Sequence, residues 1–71
     1  MTDRAAHYTM VIRWDADDRI YVVTVPELPG CQPHGSTYEE AARHGQEAIE
    51  SWIAAALADG ESLPQPRTTA A

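Results

Sequence analysis

Residues 25–37, VPELPGCQPHGST, constrain this chain more than any other stretch: three prolines and two glycines fall within thirteen positions. Proline donates no backbone hydrogen bond and fixes φ, so Pro26 and Pro29 end any strand that leads into them. Gly30 and Gly35 supply positions where a positive φ costs little. Only a short, irregular strand fits in GCQPHG. The segment on its N-terminal side must pair with itself, and the segment on its C-terminal side must start a new element.

The N-terminal segment is a hairpin. In HYTMVIRW, Tyr8, Met10, Ile12 and Trp14 alternate with Thr9, Val11 and Arg13, a period-two strand with a strongly apolar face. DADD favours a turn through side-chain-to-backbone hydrogen bonds. RIYVVTV, rich in β-branched and aromatic residues, is the second strand. Val11, Ile20, Val22 and Thr24 form a second, weaker apolar face, so the sheet has something to cover on both sides.

The C-terminal segment is a helix. Ser36 or Thr37 can serve as N-cap, with Glu39 or Glu40 closing a capping box in the first turn, where the helix dipole also favours negative charge. Tyr38, Ala41, Ala42, Gly45, Ala48, Ile49, Trp52, Ile53, Ala56 and Leu57 recur at three- and four-residue spacing. That is one apolar face about 21 residues, or ~31 Å, long. Glu39, Arg43, Glu47 and Glu50 occupy the other side. Gly60 suits the position just past the helix end, and Pro64 bars a restart. The small residues in the first half let the helix lie close to the sheet; Trp52 and Ile53 fill a wider gap at the far end. The pattern predicts an α+β domain: a small antiparallel sheet in the order β-β-β-α, with room for a short final strand, and one long amphipathic helix on one face. The domain is expected to span residues 1–66, with 67–71 a flexible tail.

A 71-residue chain is near the lower limit for a self-sufficient core. Val, Ile, Leu and Phe together contribute only 11 residues, none of them Phe, so the fold is expected to be marginal alone and to be stabilised by self-association, as a dimer or tetramer, or by a partner. The net charge of −6, with five basic residues against eleven acidic, supplies no basic footprint for nucleic acid and suits a basic protein partner. MTDRAAHY leads into no apolar signal segment, and WIAAALA is too short to span a bilayer. A single cysteine forms no internal disulfide and fits a reducing compartment, so a cytoplasmic protein without membrane contact is expected.

The residues that could carry chemistry do not add up to a site. Cys31-x-x-His34 supplies two members of a nucleophile set at most, and two ligands where zinc normally takes four. The expected roles are a small buried thiol and a surface imidazole, with no cofactor and no metal. Asp15, Asp17 and Asp18 have a D-x-D spacing, but no further ligand is spaced to complete a calcium loop; they read as turn residues. Tyr38, Trp52 and Ile53 read as core.

The order Tyr21-x-Val23-x-Val25-Pro26-Glu27-Leu28-Pro29-Gly30-Cys31, then Gly35-Ser36-Thr37, Glu39-Glu40-Ala41, Ala48-Ile49, Trp52 and Leu63-Pro64, resembles the HicB-like antitoxin family over residues 8–66. The resemblance implies a partial ribonuclease H-like fold and the role of antitoxin in a type II toxin–antitoxin pair. It also implies a partner: a small basic HicA-type mRNA interferase with a catalytic histidine that the antitoxin masks. The ribonuclease H label does not carry catalysis here, because YTMVIRW has no carboxylate to hold metal ions. The expected function is therefore non-enzymatic occlusion of the toxin; the alternative is a homo-oligomeric structural or regulatory domain with no toxin partner. Toxin contacts are expected at an exposed connector around Glu27 and Leu28 and at the hairpin acids Asp15, Asp17 and Asp18. Pro26, Pro29, Gly30, Gly35, Thr37 and Glu40 form the structural motif.

Overall fold

The computed structural model describes residues 7–67. Strands β1 (Val11–Asp15), β2 (Ile20–Thr24) and β3 (His34–Gly35) form one antiparallel sheet in that spatial order, and helix α1 (Tyr38–Ala58) packs on one face. The α+β architecture is the one the patterning predicts. Among the described residues no strand comes after the helix.

The hairpin register pairs Ile12 with Val23 and Trp14 with Tyr21 on the helix side of the sheet. On the opposite side Val11 meets Thr24, Arg13 meets Val22 and Asp15 meets Ile20. The four-residue turn is organised by Asp15, whose Oδ1 accepts from the N–H groups of Asp17 (3.0 Å) and Asp18 (3.2 Å) while its carbonyl accepts from Arg19 (2.7 Å). Arg19 closes the turn with φ +56°, a left-handed conformation that costs a β-carbon-bearing residue about 1 kcal/mol.

The helix matches the predicted length and caps. Thr37 is the N-cap, its Oγ1 accepting from the Glu40 N–H at 3.0 Å, and Glu40 Oε1 accepts in return from the Ser36 N–H at 2.7 Å. Glu40 thus reaches one residue further back than the usual capping box. Gly60, at φ +73°, comes directly after the C-cap Asp59.

Val23, Val25, Leu28 and Ile49 are the largest fully buried side chains, joined by Tyr8, Cys31, Ala41 and Ile53. Full burial contributes about 1.5–3 kcal/mol for each Val, Leu or Ile. Close approach depends on two glycines. A β-carbon on Gly45 would sit 2.5 Å from Met10 Sδ and 3.3 Å from Val23 Cγ1, and one on Gly35 would sit 2.5 Å from the Ala41 backbone nitrogen.

Three expectations are corrected. The first strand begins at Val11 rather than Tyr8; Tyr8 is buried, but its hydroxyl donates to the Pro64 carbonyl at 2.6 Å instead of its backbone joining the ladder. Tyr38, read as core, is 61% exposed, and Trp14, on the strongly apolar face, is 52% exposed. The reason is where the helix crosses: it lies mainly over β2 and β3 and only lightly over β1, so the turn end of β1 extends past its cover. The connector around Glu27 and Leu28, expected to be exposed, is buried.

Candidate functional site

The buried connector is two consecutive β-turns, each with proline at its second position. The Leu28 N–H donates to the Val25 carbonyl (2.9 Å) around Pro26-Glu27, and the Cys31 N–H donates to the Leu28 carbonyl (3.1 Å) around Pro29-Gly30. Proline pre-sets the second position of such turns, and Gly30 takes the φ of +81° that a type II turn requires at the third. The double turn reverses the chain and drives Leu28, 1% exposed, into the core.

Glu27, 7% exposed, is turned inward with it and becomes a clasp. Both carboxylate oxygens accept from the Thr9 N–H at 3.1 Å; Oε2 also accepts from Thr9 Oγ1 at 2.9 Å and from the Arg67 N–H at 2.8 Å. Burial alone would raise the Glu27 pKa, but these donors outweigh it and hold the carboxyl below its ordinary range. One side chain therefore ties the segment before β1, the connector and the segment after α1 together. Sequence reading placed Glu27 on the surface. The one available signal was an acid flanked by Pro26 and Leu28-Pro29, and it does not name partners 18 and 40 positions away.

The thiol and imidazoles do not converge. Cys31 is buried, and burial pushes its pKa up, away from nucleophilic thiolate. His34 is exposed and takes part through its carbonyl, which accepts from His44 Nδ1–H at 2.7 Å; a carbonyl can only accept, so the proton is on Nδ1. Among the described residues no group of three or more His, Cys, Asp or Glu is placed to hold a metal ion.

What the structure does assemble lies at the turn end of the sheet. The Trp14 and Tyr21 rings meet edge-on with centroids 5.0 Å apart, and Tyr21 and Tyr38 lie 4.2 Å apart, tilted by 37°. This row runs from the edge strand to the helix start, with Asp17 and Asp18 exposed in the adjoining turn and Glu39 beside Tyr38. Asp15 serves the turn through Oδ1 as described. Trp14 and Tyr38 are thus more than half exposed, Tyr21 is partly buried between them, and carboxylates border the row. The acids are legible in the sequence; the half-open positions of Tyr38, which reads as core, and of Trp14, on the strongly apolar strand face, are not. Among the described residues no helix lies over the opposite face of the sheet. A shallow cleft of about 400 Å³ there is bordered by Arg13, Asp15, Val22, Thr24 and Gln32.

Comparison with known proteins identifies the family. The family model for the HicB-like antitoxin of bacterial toxin–antitoxin systems matches residues 8–71. A UPF0150 protein of Thermoplasma acidophilum is 41% identical over 58 residues, covering 82% of this chain and 83% of that protein. A UPF0150 protein of Synechocystis is 34% identical over 59 residues, covering 83% and 73%. A 14.9 kDa protein from the rep-hol intergenic region of Haemophilus phage HP1 is 47% identical over 45 residues, covering 63% of this chain but 34% of the phage protein. No solved structure matches. Residues 8–71 carry the family pattern across hairpin, double turn and capped helix, and this chain belongs to the HicB-like antitoxin family.

Proposed function

We propose that this chain is an antitoxin that binds a basic HicA-type mRNA interferase and occludes its catalytic site, acting in the cytoplasm, without catalysis, cofactor or direct nucleic-acid binding of its own. The observation that carries the reading is membership of an antitoxin family across residues 8–71. The net charge of −6 supports a basic partner, and no helix among the described residues is long and apolar enough to cross a membrane. Asp17 and Asp18 steer the toxin electrostatically, with Asp15 shaping the turn that presents them. Glu27 and Leu28 contribute by holding the connector in shape. The test is co-expression with a small basic toxin-like protein encoded beside it. A stoichiometric complex that silences RNA cleavage supports the reading; a chain that neither binds nor silences such a protein overturns it.

The second reading is a homo-oligomeric domain with no toxin partner. Among the described residues nothing pairs with the outer edge of β1 and no helix covers the second sheet face, which favours self-association; we propose it for this chain under either reading, as a dimer or tetramer.

A further inference from the structure

We propose that two copies of this chain pair antiparallel through the outer edge of β1, with Trp14 on the two-fold axis and Arg13 of each copy opposite the partner's Asp15. This rests on the proposed self-association and names its surface and register.

The hydrogen-bond directions identify the free groups. The Val23 N–H donates to Pro33 (2.8 Å) and the Val25 N–H to Cys31 (3.4 Å), so odd-numbered residues of β2 face the β3 side. Backbone groups alternate along a strand, so Ile20, Val22 and Thr24 face β1, where they pair with Asp15, Arg13 and Val11. Ile12 and Trp14 therefore direct their N–H and C=O groups outward, where no described strand meets them. Natural edges are usually blunted by lysine, proline or a bulge. VIRWD has no proline and its pairing with β2 runs unbroken; its charges, Arg13 and Asp15, are the edge protection it has, and they oppose any register that does not match them.

Three two-fold registers place these outward groups in ladder positions. Centring on Arg13 sets two like charges directly opposite, which is unfavourable. Centring on Ile12 sets Arg13 opposite the partner's Val11, with no charge satisfied. Centring on Trp14 sets Arg13 opposite the partner's Asp15, twice per dimer, in a non-hydrogen-bonded pair where side chains come closest. Asp15 uses Oδ1 for its turn, and Oδ2 is not engaged by the turn amides. The same register lays the half-exposed Trp14 beside its copy and joins two Trp14–Tyr21–Tyr38 rows into one continuous aromatic strip. Charge complementarity and aromatic burial select one register, and a second copy is the occupant that supplies both.

The test is the molar mass and dissociation constant of the full chain by light scattering and sedimentation, with folding followed by circular dichroism. Arg13→Glu sets an acid opposite the partner's Asp15 and is expected to weaken the dimer on the order of tenfold; Asp15→Arg acts likewise. The double exchange Arg13→Glu/Asp15→Arg restores opposite charges and is expected to return within about threefold of the parent. Because Asp15 also organises the turn, a second variant does not depend on it. Trp14→Cys in a Cys31→Ser background is expected to cross-link under mild oxidation, since this register alone brings the two positions to about 5.5 Å between Cα atoms. A parent chain that is monomeric at all concentrations overturns self-association itself. A dimer that is unaffected by Arg13→Glu, or that gives no Trp14→Cys cross-link, keeps self-association and overturns this edge and register.

Discussion

The backbone N–H of Arg67 donates to Glu27 Oε2 at 2.8 Å across forty positions of the chain, onto the same carboxylate that accepts from Thr9. The double proline turn is therefore not only a connector. It aims an acid that holds both ends of the domain, and together with the Tyr8–Pro64 bond it docks the segment after the helix against the segment before the sheet.

Removing that acid should be costly. Glu27→Ala leaves the amides of Thr9 and Arg67 without their acceptor and is expected to lower stability by about 2–3 kcal/mol. Glu27→Gln keeps one acceptor oxygen and should cost about 1 kcal/mol. Urea titration of the three proteins checks the order; equal midpoints would show the clasp to be energetically silent.

Acid should loosen the same region. The Glu27 carboxyl is held below its ordinary pKa by donors that outweigh burial, and Glu40 is lowered first by the Ser36 N–H. A depressed folded pKa gives stability that is fully present above the ordinary glutamate value of about 4.3 and is lost as pH falls through the folded value. The urea midpoint is expected to fall as pH drops below about 4, with a shallower fall in Glu27→Gln. Matching acid limbs would remove Glu27 from the pH dependence.

The two close-packed glycines should respond differently to one methyl group. At Gly35 the β-carbon meets the Ala41 backbone, which cannot yield, and Gly35→Ala is expected to cost about 2–3 kcal/mol. At Gly45 the nearest atom belongs to the flexible Met10 side chain, and alanine gains about 1 kcal/mol of helix propensity, so Gly45→Ala should stay within about 1 kcal/mol of the parent. Thermal unfolding of both variants decides it, and the reverse order would contradict the packing.

Cys31 should be inert in the folded chain. Its thiol is buried and its pKa is raised by that burial. Labelling by a water-soluble disulfide reagent is expected at the rate of unfolding, rising with urea. Rapid labelling in native buffer would place the thiol at the surface.

The hairpin aspartates should act on encounter rather than on folding. Asp17→Lys/Asp18→Lys is expected to change stability by no more than about 0.5 kcal/mol. It should slow association with a basic toxin about tenfold at low salt and flatten the salt dependence. Stopped-flow mixing reads both. Unchanged kinetics would remove the turn from the interface.

Local signals carried most of the fold into the sequence. The alternation through Ile12 and Trp14, the turn chemistry of Asp15, the Thr37–Glu40 cap and the repeat from Ala41 to Ala56 each act within a few residues, and each is where patterning predicts. The connector also kept its turn residues legible, since Pro26, Pro29 and Gly30 act through backbone angles that are intrinsic to them.

Tertiary structure alone decided which apolar residues are covered and which acid is structural. Trp14 and Tyr38 sit in phase with buried neighbours, and period cannot tell how far helix and sheet overlap; the helix lies mainly over β2 and β3, and the two rings stay half-open. Glu27 carries the charge of a surface residue, and only the folding of Thr9 and Arg67 onto the double turn supplies the donors that make its burial favourable. Residue spacing encodes direction along one element; exposure and partnership depend on where the other elements end up.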